Sequence, residues 1–543
     1  MKRLMAILLT VAMLFGLMSI TAIAESEKTS LTVWVPENLR IENWETNAMT
    51  LYLEEQGNLD LTIVTLPSGS DYVTKVNMAL TAGNIKDLPD VIVCDNTGLF
   101  TDSQVWEWAQ AGAILPLTSY YSNPELAVNI NEAIARTGSE YPAQITSPDG
   151  NIYGVATLNQ SYGNEYLDKM WYSKTWLANL GAEEPKTTEE FYQLLKKVHE
   201  TDLNGNGKAD EIGLVGTFGN TRLYSGWFKY LMNSFVYAGD KQYRTVDNGT
   251  VGLAYTTEEW KEGLKYIRKM FEEGLIATES LTMDNEQLVT LMNSEDQVVF
   301  AMDYAAPDML TAGGDRVTEY FYLAPMAGPK GVQYASYAKS AAGIRFVVTA
   351  NCKNPEAAFR LGDLMSSEKI GIMQRWGTEG SEWDYIKNVK NADAYVASVS
   401  SFPISIVTYH DASFWGGTDV TNASWRQAGP YVRQYGIACG VGIDPATTEE
   451  YTIILNGAWD LYQQGGFNPS ETIPKTIYTS DESNEISEIE SNLLSFVEEQ
   501  TASFLMGNAD IDAEWDAFQA ELENIGASTY VSVVQNVYDR MYK

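Results

Sequence analysis

The chain has 543 residues, 45% hydrophobic and 20% charged, which are ordinary globular values for about three domain units or two large lobes. That balance excludes wholesale disorder, and the lack of a glycine period excludes collagen. With 36 basic against 72 acidic residues, the net charge of −36 argues against nucleic acid or anionic lipid surfaces as partners.

Residues 1–24 read as a signal peptide. Lys2 and Arg3 precede an apolar run from Met5 to Leu17, and Ala22-Ile23-Ala24 is a small-x-small cleavage site. Cleavage after Ala24 predicts an extracytoplasmic protein, secreted or periplasmic; an uncleaved anchor is the alternative. No second stretch is long and apolar enough to span a bilayer. Cys94, Cys352 and Cys439 are scattered and read as buried thiols rather than a disulfide framework.

Leu31–Val35 is a β-branched, aromatic first strand, followed by a helix through Trp44 to Glu55. Leu61–Leu66 is a second strand, Tyr72–Ala82 a helix and Pro89–Cys94 a third strand. This alternation predicts parallel pairing in an α/β lobe, with ligands outside the carboxyl ends of the strands. Glu37, Asn38, Asp95 and Asn96 follow strands there, so they are candidate cleft residues. Asn151–Ala156 reads as another strand, and Met170–Ser173 leads into a short helix stopped by Gly181. Thr187 and Glu190 form a capping box, with Phe191, Leu194, Leu195 and Val198 on one helix face.

Asp202-Leu203-Asn204-Gly205-Asn206-Gly207-Lys208-Ala209-Asp210-Glu211 places oxygen side chains at loop positions 1, 3, 5 and 9, with Gly at 6. That spacing suits a structural Ca²⁺ held by Asp202, Asn204, Asn206, the Lys208 carbonyl and Asp210. An EF-hand's twelfth-position Glu is replaced by Gly213, so Glu211 would close the shell; a solvated Asn-Gly turn is the alternative reading.

Val298–Tyr304 and Tyr320–Pro325 are further strands, and Asn354-Pro355 opens a helix. Thr479–Glu488 reads as an exposed acidic loop, and from about Glu485 to Tyr542 the chain is mostly helical. Aromatic residues are abundant at strand ends and loops: Tyr162, Trp227, Tyr304, Trp376, Trp383 and Trp415 could stack on sugar faces or pack in a core, and Trp34 favours the core. No G-x-S-x-G, Walker loop or H-E-x-x-H occurs, and no catalytic residue is assigned. Two cleft carboxylates could still hydrolyse glycosides, but the sequence selects no pair.

The order of these segments resembles the extracellular solute-binding proteins of bacterial ABC importers, and more narrowly the large oligosaccharide-binding branch that includes the alginate-binding proteins. The resemblance is carried by Asn151–Val155, Trp171–Leu177, Pro185–Phe191, the Asp202–Glu211 loop, Tyr322–Ala358, the Gly377-Thr378-Glu379-Gly380 turn, Trp515–Phe518 and Val537–Arg540. It implies an α/β, two-lobe periplasmic-binding-protein-like fold with discontinuous lobes and a hinge. The expected lobes are 25–154 plus 325–374 and 155–324 plus 375–543, with crossings near Tyr153–Leu158, Tyr322–Pro325 and Gln374–Trp376.

It also implies an oligosaccharide ligand, delivered without bond chemistry to ABC importer permease subunits by a monomer. Ligand contacts are expected at Asp95, Asp303 and Tyr304, with Glu379 in the turn, and calcium in the Asp202–Glu211 loop. A secreted glycoside-active enzyme and a peptide-binding importer component are the alternatives. Lipidated members usually carry a cysteine at the cleavage site, and none precedes Cys94 here. The strongly negative chain counts against a uronate ligand unless the cleft is locally basic.

Overall fold

The computed structural model describes residues 28–96, 100–138, 141–167, 169–218, 226–294, 298–303, 305–311, 315–409 and 419–543. The signal segment expected over 1–24 lies outside them. Among the described residues, no helix is long and apolar enough to cross a membrane.

The first lobe is built on a six-stranded sheet. Its order is Val432–Arg433, Val155–Asn159, Gly343–Val348, Val91–Val93, Thr29–Pro36, Leu59–Leu66. The first three strands of the chain pair in parallel, Val33 opposite Ile63 and Val91, as their alternation with helices demands. Val33, Val91, Ile92 and Phe346 are fully buried and form this lobe's core with Trp108 and Phe359.

The second lobe carries a four-stranded sheet ordered Tyr320–Leu323, Lys169–Ser173, Val298–Asp303, Ile212–Val215. The capping box at Thr187 forms as expected: its hydroxyl accepts from Glu190 N at 3.2 Å, and the Glu190 carboxylate accepts from Thr187 N at 3.1 Å. Phe191, Leu195 and Val198 are buried in this core, together with Trp515, Phe518 and Val534 of the C-terminal helices. A smaller sheet has the order Trp383–Tyr385, Ile406–Thr408, Val441–Ile443, Val396–Ala397. All three cysteines are free and buried.

Several expectations need correction. The strand expected at Asn151–Ala156 runs from Val155 to Asn159; Gly154 just before it lies close against the neighbouring strand, where a Cβ would sit 2.4 Å from the Phe346 carbonyl. Val155–Asn159 and Val432–Arg433, expected in the second lobe, both pair in the first sheet. Hydrophobic alternation marks a strand but does not say which sheet takes it. Thr479–Glu488 is not a loop: Thr479 caps the helix Ser480–Met506 in a capping box with Glu482. Its acidic first turn suits the positive end of the helix dipole.

The helix Glu368–Trp376 packs tightly against the short edge strand, and a Cβ on Gly371 would sit 2.3 Å from the Val432 carbonyl. That strand is held by Leu158 N donating to Tyr431 O and Gln160 N to Arg433 O. Gly371→Ala gains about 1 kcal/mol of helix propensity, but forcing the two elements apart costs about 1–3 kcal/mol. The expected outcome is a lower midpoint of chemical denaturation; an unchanged midpoint would show that the contact is not a constraint.

Candidate ligand-binding cleft

Val91–Val93, Val155–Asn159 and Val432–Arg433 point the same way in the first sheet, and Gly343–Val348 runs against them. The carboxyl ends of three strands and the amino end of the fourth therefore share one edge. That is where open α/β sheets receive ligands. A cavity of about 760 Å³ opens at this edge. One wall carries Asn96, Asn159, Arg345 and Arg433, with Arg375 and Trp376 from the end of the adjoining helix. Also lining it are Lys339 and Ser340, from the connection between sheets, and Trp459 of the helix Glu450–Gln464. That helix packs on Tyr320–Leu323 of the second sheet, so the cavity lies between the lobes.

Strand alternation aims the key side chains. Val432 enters the core, while Tyr431 and Arg433 on either side of it line the cavity. The Arg433 guanidinium lies 5.3 Å from the Trp376 ring centre and 5.0 Å from that of Tyr431. Arg345 lies over the same Tyr431 ring at 5.5 Å and donates to the Gln427 carbonyl at 3.4 Å. Arg433 is only 5% exposed, and its Nε has no hydrogen-bond partner among the described residues. Burial pulls its guanidinium below the usual arginine value; Tyr431 opposes that pull, and the Arg345 charge adds to it.

Strained backbone completes this wall. Arg426 and Gln427 have φ of 49° and 70°, in the left-handed region that favours glycine. The buried Gln374 side chain clamps them, accepting from Gln427 N at 2.7 Å and donating to Ala428 O at 2.7 Å. The Gln427 side chain then meets the Asn96 amide inside the cavity.

The passages between sheets converge on one carboxylate. Glu165, in the helical turn Tyr162–Glu165, accepts from Ser340 N at 3.0 Å and from the Tyr435 hydroxyl at 2.5 Å. Its own carbonyl accepts from Ala338 N at 2.9 Å, and Ser340 Oγ donates to Asn159 O at 3.0 Å. Three connections leaving the first sheet, after Asn159, before Gly343 and after Arg433, are thereby joined.

Of the residues singled out from sequence, Asn96 and Trp376 line the cavity. Glu37 and Asn38 occupy the same sheet edge, but Glu37 is exposed, and Asn38 accepts from Arg40 N at 3.0 Å instead of entering the cavity. Asp95 and Asp303 are buried outside the lining. Tyr162 is 6% exposed and packs against Tyr166, Phe402 and Tyr435. Trp227 is a core residue, fully buried, with its indole N–H on the Ser280 carbonyl; Trp383 is likewise core. Glu379 pairs with Lys369 at 3.1 Å beside a separate, smaller pocket. Tyr304 and Trp415 lie outside the described residues. The cationic lining and Trp459 were not anticipated; the one signal was the Tyr431-Val432-Arg433 alternation.

The Asp202–Glu211 loop folds around its own oxygens. Asp202 accepts from the Gly205, Asn206 and Gly207 amides at 2.7, 3.1 and 2.8 Å. Glu211 is 5% exposed; its Oε1 accepts from Leu203 N and Asn204 N, and its Oε2 is buried without a partner. Among the described residues, no three His, Cys, Asp or Glu side chains cluster as a metal site, and this loop mixes carboxylates with amides.

Two α/β lobes joined by several chain passages around a polar, aromatic cleft define a ligand-binding protein that can close about a hinge. Residues 40–372 match the bacterial extracellular solute-binding protein family, and the chain belongs to it. It is 28% identical over 492 residues to the fructooligosaccharide ABC transporter substrate-binding protein FusA of Streptococcus pneumoniae, covering 87% of this chain and 83% of that one. The structure of a FusA EF-hand mutant in complex with fructo-nystose superposes with a TM-score of 0.67 at 22% identity, over 94% of this chain and 99% of that one. An HMO-binding solute-binding protein from Bifidobacterium longum infantis gives 0.71 at 21%, over 95% and 99%. Alginate-binding AlgQ2 without calcium ion gives 0.61 at 19%, over the same shares.

Burial raises the Glu165 carboxyl above the ordinary glutamate value of 4.5, against the opposing pull of its Tyr435 and Ser340 donors. Folding therefore favours its protonated form. That contribution is full below the unfolded value and is lost as pH rises through the raised native one. Glu165→Gln stays neutral, so its melting temperature relative to the parent is expected to rise as pH climbs above the ordinary glutamate value of 4.5. Parallel melting curves would overturn this.

Proposed function

We propose that this chain is the extracytoplasmic oligosaccharide-binding component of an ABC importer, carrying ligand between its lobes to the permease subunits. The observation that carries the reading is the lining itself. The Trp376, Tyr431 and Trp459 rings flank amides and hydroxyls from Asn96, Asn159, Ser161 and Gln427. Flat rings match the apolar faces of sugars, while amides and hydroxyls read their hydroxyl groups. The buried, unpartnered Asn159 Oδ1 is a ready acceptor for one of them. The names of FusA and the HMO-binding protein support the same ligand class.

Binding works through differential affinity: ligand touching both walls favours the closed arrangement, which is the form offered to the permease. Among the described residues the lining includes no aspartate or glutamate, whereas glycoside hydrolysis uses a pair of them, which supports binding without bond chemistry over the enzyme reading. Secretion with cell-surface association through the permease, as a monomer, completes the reading. Tyr304 and Trp415 stay candidates for ligand contact.

The Asp202–Glu211 loop fits a structural calcium. The orphaned Glu211 Oε2, with the Asp202, Asn204, Asn206 and Asp210 oxygens and the Lys208 carbonyl, would supply hard oxygen ligands. The EF-hand of FusA, and AlgQ2 solved without calcium ion, agree with that. Bound calcium would neutralise these oxygens and fix the link from the helix Thr188–His199 to the strand Ile212–Val215.

Calorimetric titration of the mature protein with oligosaccharides, with products checked by chromatography, is expected to give saturable heat and unchanged glycan. Cleaved glycan would replace the reading with an enzyme, and heat from peptides alone would replace it with a peptide carrier. Calcium at about 100 times its Kd is expected to stabilise the fold by about 2.7 kcal/mol, reversed by chelator and absent in Asp202→Ala. A melting temperature indifferent to calcium and chelator would remove the metal from the account.

A further inference from the structure

Acidic residues outnumber basic ones two to one in this chain, 72 to 36, yet among the described residues Lys339, Arg345, Arg375 and Arg433 line the cleft and no aspartate or glutamate does. A lining drawn at random from this composition would be acidic. The inversion is concentrated where water is scarcest. Arg433 is 5% exposed, its guanidinium is flanked by Trp376 and Tyr431, and its Nε is unpartnered. Among the described residues no carboxylate pairs with it or with Arg345, whose polar contact is the Gln427 carbonyl.

A buried charge without a counter-charge is costly, and aromatic faces offset only part of that cost. Both guanidinium groups lie against the Tyr431 ring, at 5.0 and 5.5 Å from its centre, and like charges so close raise each other's cost. A neutral sugar does not need this arrangement: its hydroxyls are served as well by carboxylates and amides, and it leaves both charges uncompensated. A planar oxyanion does need it, because a guanidinium fork binds carboxylate or sulfate oxygens in pairs.

We propose that the cleft seats an anionic sugar unit, a carboxylate- or sulfate-bearing residue of an oligosaccharide, against Arg433 and Arg345. This rests on the oligosaccharide reading and narrows it. Arg433 serves as the central anion contact, held in orientation by its two flanking rings. Lys339, on the connection between the lobes, adds a further cation to the same lining.

The test is calorimetry on the mature protein with paired ligands. The acidic set is oligogalacturonides, oligoalginates, sialyl-lactose and sulfated galacto-oligosaccharides. Each is matched with its carboxyl-reduced, desialylated or desulfated counterpart, and fructooligosaccharides serve as a further neutral probe. At least one acidic ligand is expected to bind tenfold or more tighter than its neutral partner, and the carboxylate and sulfate arms identify which anion it is.

Arg433→Gln is expected to abolish that preference while melting at the same temperature or higher, since it removes a buried charge. Arg345→Gln, at a half-buried position, is expected to weaken the preference and guards against a folding defect in the first variant. Tight binding of neutral sugars without an acidic preference, or a preference retained in both variants, would overturn the proposal and leave the oligosaccharide reading standing. Absence of binding by every saccharide would overturn both.

Discussion

The two lobes depend on the carboxylate of Glu165. Three separate connections leave the first sheet, and a two-lobe protein whose connections drift independently has no defined closing motion. Glu165 sits on the first connection, holds Ser340 of the second through its backbone amide and takes the Tyr435 hydroxyl from the third. The side chain is 1% exposed, so these hydrogen bonds compete little with water. Burial that disfavours the ionised form is set against donors that favour it, which leaves a tie whose strength depends on protonation. The cleft is built next to this tie: Ser161, Gly163, Asn164 and Ser340 line it.

On the opposite wall, local strain does the positioning. Two consecutive non-glycine residues, Arg426 and Gln427, hold left-handed backbone, at a cost of about 1–3 kcal/mol each. The clamp from the buried Gln374 and the short Val432–Arg433 ladder over-determine that conformation. The result is that Gln427, Tyr431 and Arg433 come from a few residues of chain yet face one cavity. Helix and edge strand can approach so closely because residue 371 has no side chain.

Much of the fold could be read from the sequence because periodicity and capping are local. The parallel start, the Thr187 box and the proline-opened helix Pro355–Met365 all formed where their residues predicted. The cleft was legible only in part, and the sheet order explains why. Reasoning from strand ends led to the correct edge, but that edge is six strands wide and the cavity covers only part of it. Asn96 falls within the cavity, and Glu37, one strand further along, does not. The assignment of Val155–Asn159 and Val432–Arg433 to the first sheet is a long-range choice that no local pattern encodes. Aromatic residues were ambiguous for the same reason: Trp376 ends a helix at the cavity, whereas Trp227 begins one in the core.

The contrast between an acidic exterior and a cationic cleft has a kinetic side. Beyond roughly 10 Å, the Debye length at about 0.1 M salt, an approaching anionic sugar meets the field of the whole protein, and that field repels it. The attractive guanidinium groups act only at the mouth. Dissolved salt screens the distant repulsion more than the contact inside, so capture accelerates as ionic strength rises, the reverse of ordinary steering between opposite charges. Escape from a desolvated seat is governed by short-range contacts and changes little. On the proposed anionic ligand, a protein of this charge pattern would collect faster in saline surroundings than in dilute ones.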